Sequence, residues 1–363
     1  MKVVICWMNF SGYSAACWRS LARHSDIDLH VVCLAPHASG GDTEFRRESL
    51  REVSHHFLEG SISVDAAAVE RHVVSQRPDV ILVTGWAHRP YCDLTRSPQL
   101  SATKFVLGMD TPWRGDIRQR LGRIYLRPYV HRMAASFVAG ERARRYAVRL
   151  GIPESKIVKG LYAFDGDLFN ESVFRQRLQN HAPWPRRFLF AGRYVPEKAF
   201  DVLLEGYRRY RAASAAPWPL QCCGRGAMQT MLANVDGVTD LGFVQPIHQP
   251  NVFAECGVFV LPSRYEPWGV AMAEAMGTGM PVIATSVCGA GVELLHPYFN
   301  GLEIPPDDPA ALAEAMAWME RHHERLPDLG KNALYVARSY SADLWAERAL
   351  DVFRLALGVR LGT

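Results

Sequence analysis

Apolar positions in the first half of the chain come in short, nearly unbroken runs, each bounded by polar or turn-forming residues. The runs are KVVICWM (2–8), DLHVVCLAP (28–36), RPDVILVTGW (77–86), ATKFVLGMD (102–110) and ESKIVKGLY (154–162). Continuous apolar runs of this length predict strands buried on both faces, as in a parallel sheet. Helical spacing appears between them, first in ACWRSLARH (16–24). From about Phe164 to Arg187 the pattern dissolves into a polar, aromatic and proline-containing stretch, and the second half of that stretch reads as a linker.

A second series then begins. RFLFAGR (187–193), WPLQCCG (218–224), VTDLGFV (238–244), CGVFVLPS (256–263), MPVIATS (280–286) and NGLEIPP (300–306) read as strands. KAFDVLLEGYRRYRAA (198–213), the stretch from about Gly269, and DPAALAEAMAWMERHH (308–323) read as helices, the last capped by Asp307 or Asp308. SADLWAERALDVFRLAL (341–357) is a closing amphipathic helix. The pattern predicts two α/β units of similar size, with domains at 1–175 and 176–340 and the last helix at 341–363.

Bulk properties narrow the class. A chain of 363 residues suits two domains. Hydrophobic residues at 48% and charged residues at 21% suit a globular enzyme-sized protein, and a formal charge of +4 demands no nucleic-acid partner. The eight cysteines form no C-x-x-C pair and mostly sit in apolar runs, which predicts a reduced, cytoplasmic protein without disulfides or metal. The N-terminus reads as a strand rather than a signal peptide, and no run reaches the length of a membrane span.

In open parallel sheets, ligands bind beyond the carboxyl ends of strands, so the loops there are the candidates. Gly12 follows the first strand and precedes a helix, either as a turn residue or as a close approach to a phosphate. Neither G-x-G-x-x-G nor G-x-x-x-x-G-K-[ST] occurs, which disfavours a nicotinamide enzyme or a P-loop. Arg193 and Lys198 lie between a strand end and a helix start, where a diphosphate can be clamped or two basic residues simply solvated. Glu266 reaches a loop through RYEPWG, and Glu274 falls on a helix face with Val270, Ala271, Gly277 and Thr278. A carboxylate on such a small, apolar face needs a partner, either an arginine or the two hydroxyls of a ribose.

GRYVPEK (192–198) together with EPWGVAMAEAMGTGMPVIAT (266–285) resembles the signature of retaining glycosyltransferases of the GT-B group, family 4. The resemblance is sharp from Phe188 to Thr285 and general over residues 1–165. It implies an α/β GT-B fold, with two Rossmann-like parallel-sheet domains facing a central cleft. The donor would be a nucleotide-diphosphate sugar, with no cofactor and no metal, and the acceptor a hydroxyl compound such as a glycan, a lipid-linked saccharide or a small metabolite. Carried over by position, Arg193 and Lys198 would neutralise the diphosphate and Glu274 would hold the ribose. Glu266 would contact the transferred sugar, with backbone N–H groups of Trp268, Gly269 and Val270 in support. Gly12 would approach the diphosphate from the other domain. The base would lie by Phe243, Val244 and Gln245, near Gly224. The last helix, around Trp345, would cross back to the N-terminal domain. Retention is implied, with the leaving phosphate serving as base.

The chain departs from that pattern in places. LGMDTPW puts Asp110 where the family often has a histidine, so Asp110 is either its catalytic substitute or a helix cap. Trp268 replaces the common phenylalanine of the motif. On the acceptor side, TGWAHRPYCD offers Trp86, His88 and Arg89. From Arg114 to Arg149 there are ten arginines and only two acids, Asp116 and Glu141. That is either a solvated helix face or a site for an anionic acceptor or an anionic bilayer, which would put the protein at the inner face of a membrane. Ile117, Leu121, Ile124 and Tyr125 are expected to face the core. The rival readings are a nucleotide-sugar epimerase of the same build and a non-catalytic nucleotide- or glycan-binding module. Oligomeric state is left open.

Overall fold

A computed structural model describes residues 1–35, 47–180, 184–233 and 235–359. The chain divides into two compact units. The first comprises Met1–Ala163 and Ala342–Thr363, and the second Phe164–Ser341.

The first unit is built on seven strands: β1 (Lys2–Trp7), β2 (Asp28–Leu34), β3 (Ser54–Leu58), β4 (Val80–Thr84), β5 (Lys104–Met109), β6 (Met133–Val138) and β7 (Ile157–Lys159), in the order β3-β2-β1-β4-β5-β6-β7. Every pairing is parallel, and the inner strands β1, β4, β5 and β6 are buried along almost their whole length, while the edge strands β3 and β7 are partly exposed. The last helix, Ala342–Ala356, packs on Gly12–Ala22 and on the sheet. Its Trp345 is buried with its indole N–H donating to the Leu161 carbonyl at 2.7 Å.

The second unit has six strands: β8 (Phe188–Ala191), β9 (Leu220–Cys223), β10 (Val238–Asp240), β11 (Val258–Leu261), β12 (Val282–Thr285) and β13 (Gly301–Ile304), in the order β10-β9-β8-β11-β12-β13, again all parallel. The strand order turns back beside the first strand of each unit, where chains from neighbouring strand ends diverge and leave a crevice. Asp308 caps the helix Pro309–Arg321, accepting from Ala310 and Ala311 N–H groups.

Two expectations need correcting. The boundary falls between Ala163 and Phe164 rather than at 175, because Phe164 bridges to Ser341 and donates to the Tyr340 carbonyl, and Glu171–Asn180 is a helix of the second unit. Arg177 on that helix is fully buried, donating to the carbonyls of Phe253, Cys256 and Thr278. Ile117, Leu121, Ile124 and Tyr125 do not face the core: they are exposed, because their helix is held from its other side by Gln119 and Leu126. Gly12 is the first residue of its helix, with no positive φ.

Candidate functional site

The second unit gathers most of the candidate residues at the carboxyl ends of its central strands. β8 runs into Gly192 and Arg193. Arg193 is exposed and has no ion pair or hydrogen bond among the described residues. The chain then makes a 3-10 turn, Pro196–Lys198, and enters the helix Phe200–Ala213 through Ala199, which stands at a left-handed φ of +51° and supplies no side-chain cap. The first turn of a long helix is therefore left without a side-chain cap beside two cations.

Lys198 is bonded to the Glu266 carboxylate, both largely buried, and the Ser263 hydroxyl donates to the same carboxylate oxygen at 3.3 Å. The loop carrying Glu266 is pinned. Arg264 forks onto Asp201 with two bonds of 2.7 Å and also pairs with Asp307. Backbone N–H groups of Gly289 and Ala290 donate to the carbonyls of Glu266 and Trp268 at 3.0 and 2.8 Å. Gly269 then starts the helix Val270–Gly277 at φ +108°, again with no side-chain cap. A Cβ there would stand 2.9 Å from the Cys288 sulfur. Trp268 is buried against Tyr340, ring centroids 5.1 Å apart, so it packs within the unit.

Glu274 lies one turn further along. It retains a partial opening to solvent, and its side-chain carboxyl has no hydrogen bond or ion pair among the described residues. Burial, with a smaller contribution from the Asp165 carboxylate, pushes its carboxyl up to about 8. A buried acceptor without a donor is costly, and such a group is a recurrent mark of a ligand site.

Gly224 ends β9 at φ +157°, where a Cβ would stand 1.9 Å from the Gly192 carbonyl oxygen. That close approach sets the loop after β9 beside the loop carrying Arg193. Phe243, Val244 and Gln245 follow β10 on the next loop, all partly exposed, and the Val244 carbonyl accepts from Gln249 at 3.1 Å.

The first unit has its own opening at the carboxyl ends of β1, β4 and β5. It is a pocket of about 220 Å³ whose lining includes Tyr13, Trp86, Asp110, Thr111 and Tyr162. Asp110 accepts from the Tyr162 hydroxyl at 2.9 Å, so it is fixed at the wall of a pocket. The helix Ile117–Tyr125 takes its cap from Asp116. Of the acceptor-side candidates only Trp86 lines this pocket. His88 donates through Nε2 to the Ser63 carbonyl at 2.6 Å and meets the Tyr91 ring edge to face. Arg89 is exposed and pairs with Asp93 at 3.6 Å. Gly12 lies on the helix just past this opening, where Ser11 and Ser14 form a reciprocal capping box.

Sequence reasoning missed Ser263, Arg264, Asp165 and Tyr162. Ser263 and Arg264 stand within the quoted motif region, but only the fold reveals that one braces Glu266 and the other ties the loop down. Asp165 and Tyr162 are distant in sequence from Glu274 and Asp110, the groups they act on, so these roles depend on the fold. Among the described residues no three His, Cys, Asp or Glu side chains are grouped as metal ligands.

The model of the family described as "Glycosyl transferases group 1" matches residues 185–322. D-rhamnosyltransferase WbpZ of Pseudomonas aeruginosa is 27% identical over 266 residues, 65% of each chain. A D-inositol 3-phosphate glycosyltransferase of a Nocardioides species is 31% identical over 189 residues, 46% of this chain and 41% of that one. The chain thus spans less than two thirds of the length of these curated relatives. Among solved structures, Anabaena HepE in complex with UDP superposes with a TM-score of 0.72 at 17% identity, over 97% of this chain and 99% of that one. TarM superposes with a TM-score of 0.73 at 11% identity, over 97% and 99%. At those identities the likeness establishes the fold, which is GT-B.

Proposed function

We propose that the chain is a retaining glycosyltransferase of family 4, moving a sugar from a nucleotide-diphosphate donor to a hydroxyl acceptor, a reading supported by the match of residues 185–322 to the group 1 glycosyl transferase model. The observation that carries the reading is Glu274. It is a half-buried carboxyl with no donor among the described residues, on the helix that follows the loop of the buried Glu266–Lys198 pair.

The second unit holds the donor. Glu274, once ionised, accepts from both ribose hydroxyls. Phe243, Val244 and Gln245 flank the base. Arg193 and Lys198 face the diphosphate at the uncapped start of Phe200–Ala213. Breaking the anomeric C–O bond leaves negative charge on that diphosphate, and fixed cations and helix N–H groups stabilise it more in the transition state than in the ground state. Glu266 stays bound to Lys198 and Ser263, which fixes the Lys198 ammonium and leaves the second carboxylate oxygen for a sugar hydroxyl. It is a positioning group and has no partner carboxylate astride the sugar for double displacement. The leaving phosphate takes the acceptor proton.

The first unit supplies the acceptor side, through Trp86 as an apolar platform and Asp110 as an acceptor for a hydroxyl, held by Tyr162. The test is product analysis with each common nucleotide sugar and a panel of hydroxyl acceptors. The expected result is a product that keeps the donor's anomeric configuration and forms only with acceptor present. Inversion at that carbon, or sugar interconversion without acceptor, would overturn the proposal.

A further inference from the structure

The helix Ile117–Tyr125 turns its apolar side outward. Ile117, Leu121, Ile124 and Tyr125 are 74, 62, 72 and 83% exposed. Gln119 holds the helix to the body by hydrogen bonds, with buried Leu126 behind its last turn. The Gln119 side chain accepts from the backbone N–H groups of Arg114 at 2.6 Å and Gly115 at 3.2 Å, and donates to the Pro112 carbonyl at 2.9 Å. At about 100° per residue the four apolar side chains share one arc of about 100°, with Arg118 and Arg120 at its two edges. Arg118, Arg120 and Arg123 are exposed, and their side chains have no ion pair or hydrogen bond among the described residues. The one acid beside them, Asp116, is occupied as the helix cap, accepting from Gln119 at 2.7 Å.

An outward apolar arc rimmed by unpaired arginines and edged by a tyrosine has the composition of an interfacial helix, with side chains for the acyl boundary and cations for the phosphates. Charge decides the occupant. A two-fold contact with a second copy would set one arginine rim against another. An anionic bilayer meets both the apolar arc and the rim. No helix among the described residues is long and apolar enough to cross a membrane, so the contact is peripheral.

We propose that Ile117–Tyr125 docks the first unit onto an anionic bilayer surface. The docking also orients the acceptor side. A groove of about 550 Å³ beside the helix includes Arg118, Leu121 and Tyr125 and shares Trp86 and Thr111 with the 220 Å³ pocket that holds Asp110. A membrane-borne acceptor would enter along that groove, a step that rests on the transferase reading.

The experiment is co-sedimentation of the full chain with vesicles of phosphatidylglycerol and phosphatidylcholine in equal parts, against phosphatidylcholine alone, with nucleotide titration on the same preparations. The chain should sediment with the anionic vesicles and not the neutral ones, and be released by salt. Arg118→Gln with Arg120→Gln should weaken the partition on the order of tenfold, and Ile117→Asp with Ile124→Asp should abolish it. All of these residues are exposed, so circular dichroism and nucleotide affinity should match the parent. No sedimentation at low salt overturns the proposal, as does binding that ignores these substitutions. Vesicle-independent self-association lost in Ile117→Asp with Ile124→Asp also overturns it, in favour of a second copy. Nucleotide binding is read separately, so failure of the docking and failure of the transferase reading are told apart.

Discussion

At the scale of single residues, the buried Glu266 and the half-buried Glu274 behave differently because their surroundings differ. Glu266 has Lys198 and Ser263, whereas Glu274 has no donor among the described residues. The unfolded Glu274 carboxyl titrates near its ordinary 4.5 and the folded one at about 8, so the folded chain holds the extra proton between those values. Stability is then full below the lower value and falls as pH rises through the upper one. Glu274→Gln should flatten that slope, as read from urea midpoints from about pH 5 to about pH 9. A slope that survives the substitution would assign it to another group. Lys198→Met should cost about 3 to 5 kcal/mol in denaturant unfolding, because it strands a buried carboxylate. Adding Glu266→Gln should recover much of that loss, and no recovery would mean that the two side chains are not coupled.

Elements show how much could be read in advance. All six strands of the second unit follow from their apolar runs, and so does the helix that carries Glu274. In the first unit the sequence reading passes over β3 and β6. β3 is SHHFL, a short edge strand whose histidines hide the apolar signal, and β6 is MAASFV, whose alanines carry little strand preference. The outward face of Ile117–Tyr125 was unreadable for a different reason. Periodicity reveals that a helix has an apolar side, but the partner fixes which side turns inward, and here Gln119 does. For the site, the strand-end rule and the glutamate spacing singled out Glu266, Glu274, Arg193 and Lys198. The bracing by Arg264 and Tyr162 depends on contacts between distant segments, and that by Ser263 on the fold of a single loop. One loop contact is tight enough to test: Gly224→Ala places a methyl group against the Gly192 carbonyl at a left-handed φ. The expected loss is at least about 3 kcal/mol, seen as a lower thermal midpoint and lower nucleotide affinity. An unchanged midpoint would show that the two loops can separate freely.

Across the whole molecule, the chain closes its first unit with its last helix. Trp345 lies in the core of that unit, together with residues from β1, β2 and β4. Trp345→Ala should therefore cost about 3 to 5 kcal/mol in the first unit. Its unfolding transition should move down while a transition protected by nucleotide stays in place. A shift of both by the same amount would contradict independent units. The α/β class and the two-unit plan were legible from patterning alone, because buried parallel strands write continuous apolar runs. The boundary at 163/164 was not, since the polar stretch that follows looks like a linker while Phe164 and Arg177 are held inside the second unit.

The central claim is that the second unit binds a nucleotide-diphosphate sugar through Glu274. Calorimetric titration with UDP, GDP, ADP and TDP, on the parent and on Glu274→Gln, tests it most directly. One of the diphosphates should bind, with affinity rising by up to about tenfold per pH unit below about pH 8 as Glu274 ionises. In Glu274→Gln the affinity should drop at least about tenfold and lose that pH dependence. Binding of none of them, or equal binding by the substituted protein, would contradict the account.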